Sequence, residues 1–149
     1  MTNTYATASS GTFVTGNSLQ PSAAALTPTP NSSLASKSLV EGQPDIVVGS
    51  YYFQTGSTEG VNVSSVAVRV AFTDAASVDT VTNLKLWKKD PTAANDKGKQ
   101  IGQTTTSLAA VSGGFSSNTI TVSGELDIPA NKTMKIDVLA SLTTAASAG

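Results

Sequence analysis

The chain of 149 residues contains no cysteine and no histidine. Without cysteine there are no disulfides and no thiolate nucleophile, and without histidine there is no imidazole to act as a base. The same two absences remove the usual protein ligands of zinc. No motif supports a serine–lysine pair in their place, so we expect no catalytic residues, no cofactor and no enzymatic activity.

Charged residues are also scarce, at 13% of the chain, and the formal net charge is −1. The 9 Lys and Arg residues are scattered, so they form no basic stripe of the kind that phosphate binding needs. The sequence marks out no pair of carboxylates that would flank a cleft, as glycosidases require. We therefore expect no nucleic-acid partner and no glycosidase site.

Long apolar runs are absent as well. No stretch approaches the roughly 20 apolar residues of a transmembrane helix, so no membrane span is expected. The start, Met1 to Ala6, has neither the basic region nor the apolar region of a signal peptide. Export would therefore require a signal that was removed ahead of Met1, whereas a natural Met1 would exclude export through a cleaved signal.

What the chain does contain is hydroxyl residues, 20 Ser and 21 Thr. Thr favours strands and Ser favours turns, and no segment has a helical apolar period. Prolines within 26–44 indicate an extended edge strand or a polyproline-like ribbon there. Strand-like segments follow, separated by turn residues: 46–53, 61–72, 81–87, 99–103, 119–128 and 132–140, with a hairpin around the Ser-Gly-Gly at 112–114. We predict an all-β sandwich of about seven strands.

The longest alternating segment is Val61 to Phe72. Val61 and Val63 share one parity, whereas Val66 and its alternating successors take the other. Because side chains in a strand alternate strictly, one face can stay buried only if the strand is interrupted. We predict a bulge or break at Ser64–Ser65.

Composition divides the chain into three parts. Residues 1–25 form a polar N-terminal extension, residues 26–142 the sandwich domain, and residues 143–149 a small-residue tail. The extension holds one strand-like island, in which Thr12, Phe13 and Val14 are candidate assembly residues. The island is expected to pair along a sheet edge, and the alternatives of its own edge or a neighbouring subunit's edge stay open.

Five stretches carry a resemblance to a known family: Asp45–Thr55, Ser57–Val68, Val81–Trp87, Gly98–Gly102 and Leu126–Val138. Together with the Pro- and Ser-rich lead-in, this order resembles the immunoglobulin-like β-sandwich modules of bacterial and archaeal cell-surface and S-layer-associated proteins. The resemblance implies a non-catalytic spacer, adhesive or assembly module outside the cell.

The chain departs from that family's pattern at two positions. Gly60 stands where the family has an acidic residue, which leaves no charge role to transfer there. Asn131 stands in place of a turn glycine, and Asn tolerates the left-handed backbone conformation, so we expect the turn to form.

Two loops contain paired acids that are candidate calcium ligands, Asp74 with Asp79 and Asp90 with Asp96. Neither loop has the regular spacing of a dedicated calcium site, which favours solvated turns over metal binding. Tyr52 and Trp87 are candidate glycan contacts, because stacked aromatic rings bind sugars. Their alternative role is packing at the core or at strand ends.

The function expected from these observations is a structural module of an extracellular surface layer, stalk or filament, whose partners are other copies or neighbouring modules. Strand addition through the N-terminal extension is the expected joining device. A virion capsid-decoration or fibre subunit is the first alternative, favoured if Met1 is natural. A carbohydrate-binding module, with a glycan as its partner, is the second.

Overall fold

The computed structural model describes residues 26–34, 42–71 and 81–143. The described residues form strands connected by turns, with no helix among them. The strands are β1 (Leu26–Pro30), β2 (Ile46–Thr55), β3 (Val61–Ala71), β4 (Val81–Lys89), β5 (Lys99–Ser107), β6 (Phe115–Ile128) and β7 (Thr133–Leu142).

These strands form two sheets in which every pair is antiparallel. A large sheet has the order β1-β2-β7-β4-β5, and a small sheet consists of β3 and β6. Alternate residues of both sheets contribute to one shared core, as expected for two sheets packed face to face. The predicted all-β sandwich of about seven strands is therefore confirmed.

The core takes its fully buried side chains from β4, β5, β6 and β7. Strand β6 shows the alternation clearly, because every second residue from Ser116 to Val122 is buried while its neighbours are exposed. The side chains below 2% exposure include Leu84, Leu86, Ile101, Val122, Leu126, Ile128 and Ile136. Burial of this apolar surface supplies the main favourable term in folding.

The parity break predicted at Ser64–Ser65 is confirmed. Both serines are exposed, while Val63 and Val66 on either side of them are partly buried and pack on the core. The register of β3 against β6 shifts between Val63 and Ser65. The partner strand contributes more of the irregularity, since four residues of β6, 122–125, lie opposite the single residue Ser64.

Several strand boundaries differ from the sequence-based expectation, and β6 begins at Phe115 rather than Thr119. Strand β5 runs through its threonines to Ser107 rather than ending at Gln103, because β-branched Thr is well suited to a half-buried strand. No strand forms at 108–111, and the Ser-Gly-Gly turn is closed by a single bridge between Ser112 and Phe115.

One side of the sandwich is closed by a close approach of β5 to β6, here called the closed seam. A Cβ atom on Gly102 would lie 2.6 Å from both the Ile120 Cγ2 and the Thr121 carbonyl oxygen. Gly102 also has a φ of +67°, which other L-residues rarely adopt. The irregular segment of β6 turns Glu125 towards β5, where its Oε2 accepts the Gly102 N–H at 3.0 Å.

We expect Gly102→Ala to cost about 2–4 kcal/mol of unfolding free energy, because backbone strain and overpacking at the seam combine. Gly113→Ala is the matched control, since Gly113 also has positive φ, +59°, but nothing lies within 4 Å of its Cβ position. Strain alone should cost the control about 1–2 kcal/mol. Urea unfolding followed by Trp87 fluorescence measures both, and equal losses would contradict the close approach.

Candidate functional site

A buried polar network lies on the face of the large sheet that points away from the core. Ser50 and Asp137 are direct cross-strand partners on β2 and β7, and Ser50 Oγ donates to Asp137 Oδ1 at 2.6 Å. Lys135 Nζ donates to Asp137 Oδ2 at 3.0 Å, and Asn31 Nδ2 donates to Ser50 Oγ at 3.2 Å. Both carboxylate oxygens are thus engaged, and the network joins β2 and β7 to Asn31, the residue that follows β1.

Tyr52 and Trp87, the candidate glycan contacts, lie on this same outer face. Tyr52 pairs with Lys135 and Trp87 pairs with Asp137, so β7 runs between the two rings. The indole N–H of Trp87 donates to the Lys97 carbonyl oxygen at 3.2 Å. A Cβ on Gly98 would lie 2.5 Å from Trp87 Nε1, so the 90–98 loop covers that edge of the indole.

The carboxylates of Asp90 and Asp96 organise the backbone of the loop between β4 and β5. Asp96 accepts the N–H groups of Asp90 at 2.6 Å and Gly98 at 2.7 Å. Asp90 accepts the Thr92 hydroxyl at 2.6 Å and the Thr92 N–H at 2.8 Å. This geometry is that of side-chain-stabilised turns, in which the acid substitutes for a backbone acceptor.

These hydrogen bonds stabilise the charged carboxylates. The pKa of Asp96 is lowered from its ordinary value of 3.8, chiefly by the backbone N–H of Asp90 and then by that of Gly98. The pKa of Asp90 is also lowered, chiefly by the Thr92 hydroxyl and then by the Thr92 N–H. Within ranges 26–34, 42–71 and 81–143, no three His, Cys, Asp or Glu residues are grouped to hold a metal ion.

The remaining candidate residues fall outside the described part of the chain. They are Asp74 and Asp79 of the other acidic loop, and Thr12, Phe13 and Val14 of the N-terminal island.

Asp96→Asn should make the melting temperature depend less on pH in the acid range. Because the folded pKa lies below the unfolded one, the stabilisation is present above the ordinary pKa and is lost as pH falls through the folded value. The variant should melt a few degrees lower at about pH 7 and converge with the wild type near about pH 2. Melting curves across this range measure the effect. Asp127→Asn, on an exposed β6 side chain, is the control, and an unchanged profile for Asp96→Asn would contradict the loop's role.

The sequence did not reveal a groove on the side of the sandwich opposite the closed seam. This open seam separates β2 from β3 and has a volume of about 250 Å³. Val48 and Tyr51, which line it, are 41% and 40% exposed. The groove is lined by Val48, Gly49, Tyr51, Val68, Arg69, Val70, Ala71 and Val138.

Strand β3 borders this groove with an unpaired edge. One edge of β3 pairs with β6, and no strand in the described ranges pairs with the other. Its sequence lacks proline and carries one charge, Arg69, over 11 residues. Of the two edge strands of the large sheet, β1 contains Pro28 and Pro30, which block strand addition, and β5 approaches β6 closely at Gly102. Alternation identified β3 itself, but a strand's partners depend on topology, which alternation does not specify.

Comparison with protein-family models, with curated proteins and with solved structures gives no match. None of the secondary-structure elements in the described residues is a helix of the length and apolarity needed to cross a bilayer.

Proposed function

We propose that the protein is a non-catalytic structural module of an extracellular surface layer, stalk or filament, built on an immunoglobulin-like sandwich. The observation that supports this most strongly is the placement of the two ends of the described domain. Leu26 pairs with Thr55 at one end of β2, whereas Ala140, near the end of β7, pairs with Ile46 at the other. The 10 residues of β2 separate these ends by roughly 30 Å.

Modules that are connected through opposite ends extend a fibre or stalk by the length of each domain. A force that stretches such a fibre acts along the strands. The strands β1, β2 and β7 are adjacent in the large sheet, and their hydrogen bonds run perpendicular to that direction. A force applied along the strands therefore acts on all the hydrogen bonds between them at once, rather than breaking them one after another. This arrangement suits a spacer that must stay folded between neighbours.

Additional hydrogen bonds lie at both ends of the β1-β2-β7 ladder. At the Thr55 end, the Thr55 hydroxyl donates to the Pro129 carbonyl at 2.6 Å, and the Asn131 N–H donates to the Gly56 carbonyl at 2.8 Å. At the opposite end, the Leu142 N–H donates to the Gln43 carbonyl at 2.9 Å. The polar groups described above, Asp137, Asp96 and the Trp87 N–H, likewise make internal bonds.

Labelling of intact cells of the source organism tests this proposal. Antibodies raised against the folded domain should label the outer surface of unbroken cells, and external protease should remove the label. Labelling confined to lysed cells would contradict a surface role, and labelling of virus particles would instead establish a virion subunit. An antibody against a cytosolic protein controls for cell integrity.

A further inference from the structure

Resting on the proposed function, we propose that the free edge of β3 and the open seam form a strand-binding site for residues 11–15 of a second copy. The incoming strand Gly11-Thr-Phe-Val-Thr15 pairs with β3 and places Phe13 in the groove. Main-chain hydrogen bonds supply affinity, and the groove selects the apolar side chain.

The open seam provides what an added strand needs. No strand of the described ranges pairs with this edge of β3, and unpaired N–H and C=O groups cost free energy unless they bond to water or to a partner. Beside it, Val68, Val70 and Val138 line an apolar groove whose rim exposes Tyr51. Arg69, the one charge on the strand, stacks on the Phe115 ring of β6 at 4.4 Å from its centroid, and it also lines the groove.

Among the stretches outside the described ranges, the N-terminal one fits this site by length and composition. Residues 35–41 and 72–80 must each connect fixed ends, Leu34 to Gly42 and Ala71 to Val81. Residues 144–149 contain neither an aromatic nor a branched aliphatic side chain. Residues 1–25 lead into the described domain at Leu26 and contain the strand-forming Thr-Phe-Val sequence.

The position of Leu26 favours a neighbouring copy as the recipient. Leu26 lies at the Thr55 end of the sheet, so the preceding residues start at the face where the next module along the axis would sit. Residues 16–25 span up to roughly 33 Å when extended, enough to reach a neighbour's seam. Pro21 favours extended backbone at Gln20, and no glycine between Gly16 and Leu26 assists a reversal onto the same domain.

Cysteine cross-linking tests the site cleanly, because the natural chain has no cysteine. One sample mixes two single variants, Phe13→Cys and Val70→Cys, under mild oxidation. We expect a disulfide-linked heterodimer at roughly tenfold or more the yield of a control mixture of Phe13→Cys with Gly113→Cys, because docking raises the effective concentration of the thiols. Gly113 lies in an exposed turn.

A second sample contains the double variant Phe13→Cys/Val70→Cys at low concentration. Cross-linking within one chain, with no excess heterodimer in the mixture, would overturn the proposal and assign residues 11–15 to their own domain. Equal yields in the two mixtures would overturn it too. The cross-link reports where residues 11–15 bind and surface labelling reports where the protein acts, so either proposal can fail while the other survives.

Discussion

The antiparallel ladder through β1, β2 and β7 is the interaction on which the rest of the structure depends. It joins the two ends of the described domain, and it positions the inner faces against which the small sheet packs. Its outer face is fixed by the Ser50–Asp137 bond, with Lys135 completing the carboxylate's partners. A buried carboxylate is costly unless it is paired and hydrogen-bonded, and here both conditions are met.

The two-stranded small sheet is narrower than the five-stranded sheet that it covers, which gives the sandwich two unlike sides. On one side, Gly102 lets the backbones of β5 and β6 approach closely, and Glu125 bonds across the gap. On the other side, β3 ends the small sheet with no described strand beyond it, and Tyr51 stands exposed at the rim. The sandwich thus has one closed side and one side on which no described strand pairs with β3.

The fold could be predicted because it depends on local alternation. The parity change at Ser64–Ser65 indicated an irregularity in β3, and Asn131 adopts the left-handed conformation expected of it, with a φ of +57°. The extra residues of β6 were not predicted, although Gly124, whose φ is +76°, is the kind of residue that marks a bulge inside a strand. The open seam was not predicted either, because its walls come from β2, β3 and β7, and a single sequence does not specify how these strands are arranged.

The sequence identified the candidate site residues but did not specify their hydrogen-bond partners. Asp90 and Asp96 were correctly grouped as sharing one loop, but which N–H groups they accept is set by the turn geometry. Tyr52 and Trp87 do share a face, although the contact of Trp87 with the Lys97 carbonyl depends on how the 90–98 loop folds back. Composition identifies the polar and aromatic groups available, whereas their partners emerge with tertiary structure.

The central claim is that the domain bears load along its strands between opposite ends, and single-molecule pulling tests it most directly. Handles attached through Thr27→Cys and Leu142→Cys would load the ladder in shear, whereas handles at Thr27→Cys and Gly56→Cys, both at the Thr55 end, would peel β1 from β2. The account predicts a clearly higher unfolding force for the first pair, in one cooperative event. An equal or lower force for the opposite-end pair would contradict it.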